Sequence, residues 1–272
     1  MNVSYNLEFQ KEAFFSVKED VLTMIVGLLG CGAMAKLITK CVVEGDICAD
    51  LKFFYDRNLE KAGKLASQLN GTVVTDINDM LDGIDLVVEA ASPQAVREIV
   101  PQVLENGKDV ILMSVEALLN SDLRKKLKKI ARKNNSKIYV PSGEIAGLDG
   151  VKAASIGKIY QVNLITRKPP KSLGISAKTE TIVYEGKTKD TTRKFPTNMD
   201  TAATLSITCD KEVDVKIIAD PHVDHTSHEV HMVGDFGELK TITYNKECPV
   251  NPKTTVLAAY SVIKLLKSLN TY

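Results

Sequence analysis

The chain has no excess of either charge: 35 lysines and arginines stand against 34 aspartates and glutamates. It therefore has no basic field to recruit nucleic acid or an anionic membrane, and no acidic tail. No apolar run approaches the length that spans a bilayer, and the first residues lack the charged, apolar, small order of a secretory signal. A cytoplasmic protein is expected. The five cysteines, Cys31, Cys41, Cys48, Cys209 and Cys248, are odd in number and include no Cys-x-x-Cys spacing, which argues against both a disulfide framework and a zinc knuckle. Internal repeats and low-complexity tracts are also missing. What remains is a 272-residue chain able to bury a sizeable core, in two domains or in one with a large embedded partner.

The most informative stretch present is Met24-Ile25-Val26-Gly27-Leu28-Leu29-Gly30-Cys31-Gly32-Ala33-Met34-Ala35, an apolar strand run leading straight into a glycine turn. Gly30 permits the tight turn, Gly32 lets backbone approach a diphosphate, and Ala35 keeps the following helix close to its strand. Cys31, Ala33 and Met34 complete the loop, and the helix amides that follow would face the anion. A thiol at such a helix start is expected to have a lowered pKa. A second apolar strand over 51–55 ends at Asp56, about 20 residues beyond the loop's last small position, where a carboxylate can accept both hydroxyls of an adenosine ribose. That favours NAD over NADP. Arg57 adjoins it, and a guanidinium there could pair with a 2'-phosphate, so NADP stays open.

From Met24 onward strands at 24–29, 51–55, 72–74, 85–89, 108–113 and 137–140 alternate with helical stretches such as 59–69, 93–105 and 121–133. This pattern predicts right-handed crossovers and a parallel sheet covered on both faces. After Pro141 the texture changes to longer alternating runs at 158–167, 180–185, 213–219, 229–233 and 239–244, with Asp235-Phe236-Gly237 as a turn, so a mostly antiparallel sheet is predicted. A final helical pattern follows Pro252 and Thr254. The fold class is thus α/β, a Rossmann-type parallel-sheet domain plus an α+β second domain with a mostly antiparallel sheet. The expected boundaries are an extension at 1–22, a dinucleotide-binding domain at 23–141, a substrate and dimerisation domain at 142–252, and a helix at 253–272 that packs back on the nucleotide domain. The extension contains Leu7, Phe14, Phe15 and Val17 among charges, which suits either an amphipathic helix or a segment outside the fold.

Folds of this kind bind ligands at the carboxyl ends of the strands. Attention therefore falls on Ala91-Ser92, on Ser114-Val115, and on the run from Pro141 to Gly150, all rich in small or hydroxyl side chains. All four histidines lie in one ten-residue window, at 222, 225, 228 and 231. Their spacing of three suits a metal only on a helix, and the β-branched neighbours Thr226 and Val230 favour a strand. There, His222 and His228 share one face while His225 and His231 share the other, so the four cannot converge and no metal is assigned. An imidazole is instead the expected base for drawing a proton from an amine or a water.

Taken together, Met24 to Gly32, Asp85-Leu86-Val87-Val88-Glu89-Ala90-Ala91-Ser92, Met113-Ser114-Val115, Pro141-Ser142-Gly143 with Ile145-Ala146-Gly147-Leu148-Asp149-Gly150, Phe195-Pro196-Thr197-Asn198, and Asp220-Pro221 with His228-Glu229 resemble the L-aspartate dehydrogenase family. The resemblance runs from Met24 to the C-terminus. It implies oxidation of L-aspartate to iminoaspartate with NAD or NADP, then hydrolysis to oxaloacetate and ammonia or release of the imine for NAD biosynthesis, by a homodimer. His228 matches the family's catalytic histidine and Asn198 a cofactor-binding asparagine. The Ser-Gly-x-Ile loop that touches the cofactor in the family has Glu144 in place of its usual alanine. Glu116 stands where glycine is usual, and Thr226 where asparagine is common. Two substrate carboxylates call for cations, and Lys152, Arg167 and Arg193 are candidates. The competing readings are a dehydrogenase or reductase of another amino or oxo acid, and a non-catalytic NAD-binding sensor.

Overall fold

The computed structural model describes residues 23–190, 199–248 and 251–269, with backbone alone at 251–253. The proposed extension at 1–22 lies outside these residues, as do Asn198 and the rest of the Phe-Pro-Thr-Asn motif.

Among the described residues the first half alternates strand and helix: β1 (Ile25–Leu29), α1 (Ala33–Val43), β2 (Asp50–Tyr55), α2 (Leu59–Ala66), β3 (Thr72–Val74), α3 (Asn78–Leu81), β4 (Leu86–Glu89), α4 (Pro93–Glu98), α5 (Val100–Glu105), β5 (Asp109–Leu112), α6 (Ser121–Lys133) and β6 (Ile138–Tyr139). The six strands form one parallel sheet in the order β3-β2-β1-β4-β5-β6. Both faces are covered, which is why these strands are apolar throughout rather than alternating. Val26 and Leu28 of β1 pack with Ala35 and Ile38 of α1 on one face. Val87, Val110 and Leu112 pack with Val103, Leu104 and Leu127 on the other. The order reverses between β1 and β4, and the crevice at that switch point is where such sheets bind ligands.

The stretch 93–105 is two helices rather than the single one its periodicity suggests. Pro101 has no N–H and its ring excludes the carbonyl of residue 97, so the helix stops at Ile99 and restarts with Pro101 in its first turn.

The second half contains α7 (Leu148–Ala154), β7 (Ile159–Lys168), β8 (Thr181–Lys187), α8 (Asp200–Cys209), β9 (Asp214–Ala219), β10 (Thr226–Gly234), β11 (Gly237–Asn245), β12 (Glu247–Cys248), β13 (Asn251–Thr255) and α9 (Val256–Leu269). Its five-stranded sheet runs β11-β10-β7-β9-β8. All neighbours are antiparallel except β7 and β9. The β10–β11 hairpin turns through Asp235-Phe236, and Gly237 supplies the φ of 110° that closes it. One face of this sheet is covered by α7 and α8, through Val162, Leu164, Val230 and Met232 against Val151, Ala202 and Leu205. The other face is open and carries Tyr160, Ile182, Ile242 and Tyr244 to solvent. The last helix returns to the parallel sheet, where Val262, Ile263 and Leu266 join the core beside Ile38.

Gly30 sits at φ 98°, and a Cβ there would lie 2.7 Å from the Ala91 backbone. Gly30→Ala is expected to lose about 1–3 kcal/mol from combined backbone strain and steric conflict, read as a lower urea midpoint with an unchanged slope.

Candidate active site

The glycine loop connects β1 to α1, and its geometry suits an anion. Gly32 is the N-cap of α1, no side chain caps that end, and the first turn carries no acidic residue. The free amides and the positive end of the helix therefore point at open space. A Cβ on Gly32 would meet nothing within 4 Å, so the approach to the loop is clear. Asp56, at the end of β2, accepts the Cys31 N–H at 2.7 Å through Oδ2 and the Asn58 N–H at 2.8 Å through Oδ1. The carboxylate is thereby fixed beside the loop, with Arg57 exposed next to it. The Cys31 thiol does not behave as its helix-start position suggests. Burial, assisted by the Asp56 charge, pushes its pKa up to about 12, because a fully enclosed sulfur loses more from desolvation than the helix end returns.

The turns after β4 and β5 are tied together by Glu89, which is fully buried. Its Oε1 accepts the Ala91 and Ser92 N–H groups and the Ser114 hydroxyl at 2.9–3.0 Å, and its Oε2 accepts the Ser114 N–H at 3.0 Å. Burial raises its pKa, while these donors pull the other way. Across the cleft, Asp200 at the start of α8 accepts the Glu116 N–H at 3.0 Å. Burial pushes its carboxyl up to about 7, with the Glu116 and Glu89 charges adding to the rise.

Met34, Ala91, Ser114, Val115 and Glu144 line a single cleft of about 330 Å³, with Asp200, Thr201 and Thr204 of α8 opposite. Ser92 is spent on structure, because its side chain caps α4 by accepting the Ala95 N–H.

His228 is hydrogen-bonded to Glu144 from near the start of β10, the strand between β11 and β7, and only 2% of it is exposed. Directly opposed residues share a face, so the pairing of His228 with Thr166 and Thr243 puts these three on the same side. Along β7 that side reads Val162, Leu164, Thr166, Lys168: apolar beneath the helices, then polar beside His228. The Thr166 hydroxyl is 2.9 Å from Nδ1 of His228, and Glu144 Oε2 is 2.7 Å from Nε2. The other Glu144 oxygen accepts the Thr255 N–H at 3.2 Å. Burial alone would raise the Glu144 pKa, but the hydrogen bond and charge of His228, together with Lys168 and Thr255, outweigh it and lower the value. An ionised Glu144 only accepts, so Nε2 carries the proton between them. The loop itself is pinned, since the Glu144 carbonyl accepts Thr243 Oγ1–H and an Asn245 amide N–H, and Gly143 N–H donates to Ser261 of the last helix.

Residues 149–269 match the family model described as aspartate dehydrogenase, C-terminal, and residues 30–141 match that of the homoserine dehydrogenase NAD binding domain. The chain is 57% identical over 250 residues to an L-aspartate dehydrogenase of Methanothermobacter thermautotrophicus, covering 92% of this chain and 97% of that one. The chain belongs to the L-aspartate dehydrogenase family. An L-aspartate dehydrogenase of Methanococcus maripaludis is 44% identical, over 90% of this chain and 96% of its own. Among solved structures, the aspartate dehydrogenase of Thermotoga maritima superposes with a TM-score of 0.75 at 28% identity, covering 90% and 96% of the two chains.

Other sequence-derived candidates fall elsewhere. Lys152 is exposed on α7. Arg167 already pairs with Glu180 at 2.8 Å and Asp220 at 3.4 Å. Arg193 and Asn198 lie outside the described residues. His222 and His225 are exposed in the turn before β10, and His231 faces away and pairs with Glu238 at 2.8 Å. No group of three metal-ligating side chains converges among the described residues. Two contributors had no signal in the sequence. Helix α8 is buried on nearly every side, so it shows no amphipathic stripe, and Lys168 reads as one more surface charge until the strand register is known.

Two measurements follow. Glu89→Gln replaces one acceptor by a donor facing N–H or O–H groups, and is expected to cost about 1–3 kcal/mol and to weaken dinucleotide binding together with stability. For Asp200, the folded protein keeps its proton up to about pH 7, whereas an unfolded chain releases it near pH 4. The folded state binds more protons in that window, so stability falls as pH rises through it. Asp200→Asn should flatten this slope in urea unfolding followed from pH 5 to pH 7.5.

Proposed function

We propose that this protein oxidises L-aspartate with NAD or NADP, giving iminoaspartate and then oxaloacetate and ammonia. The observation that carries the reading is a buried imidazole hydrogen-bonded to Glu144, which lines a cleft together with Met34 of the helix that follows the glycine loop, within a chain 57% identical to an L-aspartate dehydrogenase. Gly30, Cys31, Gly32, Ala33 and Met34 would receive the diphosphate, Asp56 the adenosine ribose, and Arg57 a 2'-phosphate where one is present. Ala91, Ser92, Ser114, Val115, Glu144 and Asn198 would border the nicotinamide end. The bound cofactor supplies a hydride acceptor.

The protein's own work is orientation and proton transfer. His228 takes a proton from the substrate ammonium, the electron pair of the α C–H bond leaves as hydride, and a C=N bond forms. The imidazole passes that proton to solvent and then takes one from a water that adds to the carbon; its return to the nitrogen lets the C–N bond break as the C=O bond forms, releasing ammonia. Released before hydrolysis, the imine would feed NAD biosynthesis; hydrolysed, it serves aspartate breakdown. The open face of the five-stranded sheet, with Tyr160, Ile182, Ile242 and Tyr244 exposed, suits a homodimer pairing face to face. No described helix is long and apolar enough to cross a membrane.

The test is the appearance of reduced cofactor with L-aspartate and NAD, repeated with NADP, glutamate and alanine. His228→Ala should lower kcat by about 10²-fold or more while leaving cofactor affinity intact. Tight cofactor binding with no turnover on any amino acid would replace this reading by a sensor, and preference for another amino acid would replace the substrate.

A further inference from the structure

We propose that the Thr255 N–H and the Lys168 side chain, beside His228, form the receptor for a substrate carboxylate, and that Glu144 places its own carboxylate there as an internal competitor that also occupies His228 Nε2. The inference rests on the amino dicarboxylate reading given above and names the residues that would recognise it.

Lys168 is the starting point. It is 4% exposed and lies two residues beyond Thr166 on the His228 side of β7. Among the described residues its ammonium has neither a hydrogen bond nor an ion pair within 4 Å, although its backbone carbonyl accepts the Asp220 N–H at 2.9 Å. An ammonium buried without a close partner is costly unless an anion is drawn to it. The acidic groups that face it are Glu144 and Glu247; burial lowers its pKa, and these two oppose the change. Glu247 is committed elsewhere, as it accepts the Ser172 hydroxyl at 2.6 Å. That leaves Glu144, whose two oxygens take the His228 proton and the Thr255 N–H.

The arrangement can hold a carboxylate without the imidazole, through the Thr255 N–H and a buried positive charge nearby. Its occupant, however, blocks the imidazole nitrogen that the proposed reaction needs. For His228 to meet a substrate amine, the Glu144 side chain has to leave, and what it leaves behind is matched to another carboxylate. A substrate bearing two carboxylates can supply one, whereas alanine cannot displace Glu144 with a side chain. Selection for a dicarboxylate would thus arise from competition as well as attraction.

The experiment is calorimetric titration of malonate, a dicarboxylate that cannot be oxidised, into NAD-saturated wild-type protein and into Glu144→Ala, Lys168→Met and Lys168→Arg variants. Removing the competitor raises the fraction of competent pockets, so Glu144→Ala should bind malonate about tenfold or more tightly and lower KM for L-aspartate more than KM for alanine. Lys168→Met should bind it about tenfold or more weakly, with Lys168→Arg between. Unchanged or weaker malonate binding by Glu144→Ala, or wild-type binding by Lys168→Met, overturns the proposal. Should Lys168→Met not fold, the Glu144→Ala result decides alone. Malonate binding is read without turnover, so a protein that oxidises no aspartate can still show the receptor, and one that oxidises it can still lack it.

Discussion

The site depends on a carboxylate that never meets solvent. Glu89 ends the central strand β4 and gathers four donors from the turns after β4 and β5. Parallel strands place their carboxyl ends at one edge but leave the loops beyond them unconnected. A buried acceptor with no competing water fixes both loops relative to each other, and it does so beneath the cleft wall formed by Ala91 and Ser114. The cost of desolvating that charge, visible in its raised pKa, is offset only while every donor is present. The same trade recurs deeper at Glu144, and the more exposed Asp200 across the cleft is likewise held by a backbone N–H group.

Much of the nucleotide half could be read from residues alone. Its strands are buried on both faces, so each appears as an unbroken apolar run, and the glycine loop with Asp56 about 20 residues on has few other uses. The second sheet was legible as alternation, down to the Asp235-Phe236 turn, but its one parallel pair was not. Strand direction depends on the path between β7 and β9, and no local pattern encodes that path. Helix α8 escaped because burial on all sides erases the periodicity that marks a helix. The Cys31 thiol misled for a related reason: position on a helix can be read in sequence, enclosure cannot.

The imidazole shows the same division. His228 stood out by residue type and by its motif, while its partners Thr166, Glu144, Thr255 and Lys168 come from four separate segments that only strand register and loop closure bring together. Lys168 is the sharpest case. Nothing in Arg167-Lys168 says which of the two charges goes inward, and the parity of β7 decides it. The outward arginine pairs with exposed Glu180 and buried Asp220, and the inward lysine finds no acid within reach of an ion pair among the described residues.

The return of α9 to the first domain has a mechanical consequence. Since its apolar side is part of the parallel-sheet core, the chain passes between the two halves both after β6 and again ahead of α9. Two covalent connections between the halves, rather than one, would favour rocking over twisting if the halves move. Gly143 and Thr255, whose amides touch this last helix and Glu144 respectively, sit on those two connections. Any rocking of one half on the other would therefore pull on Glu144, and through it on the imidazole.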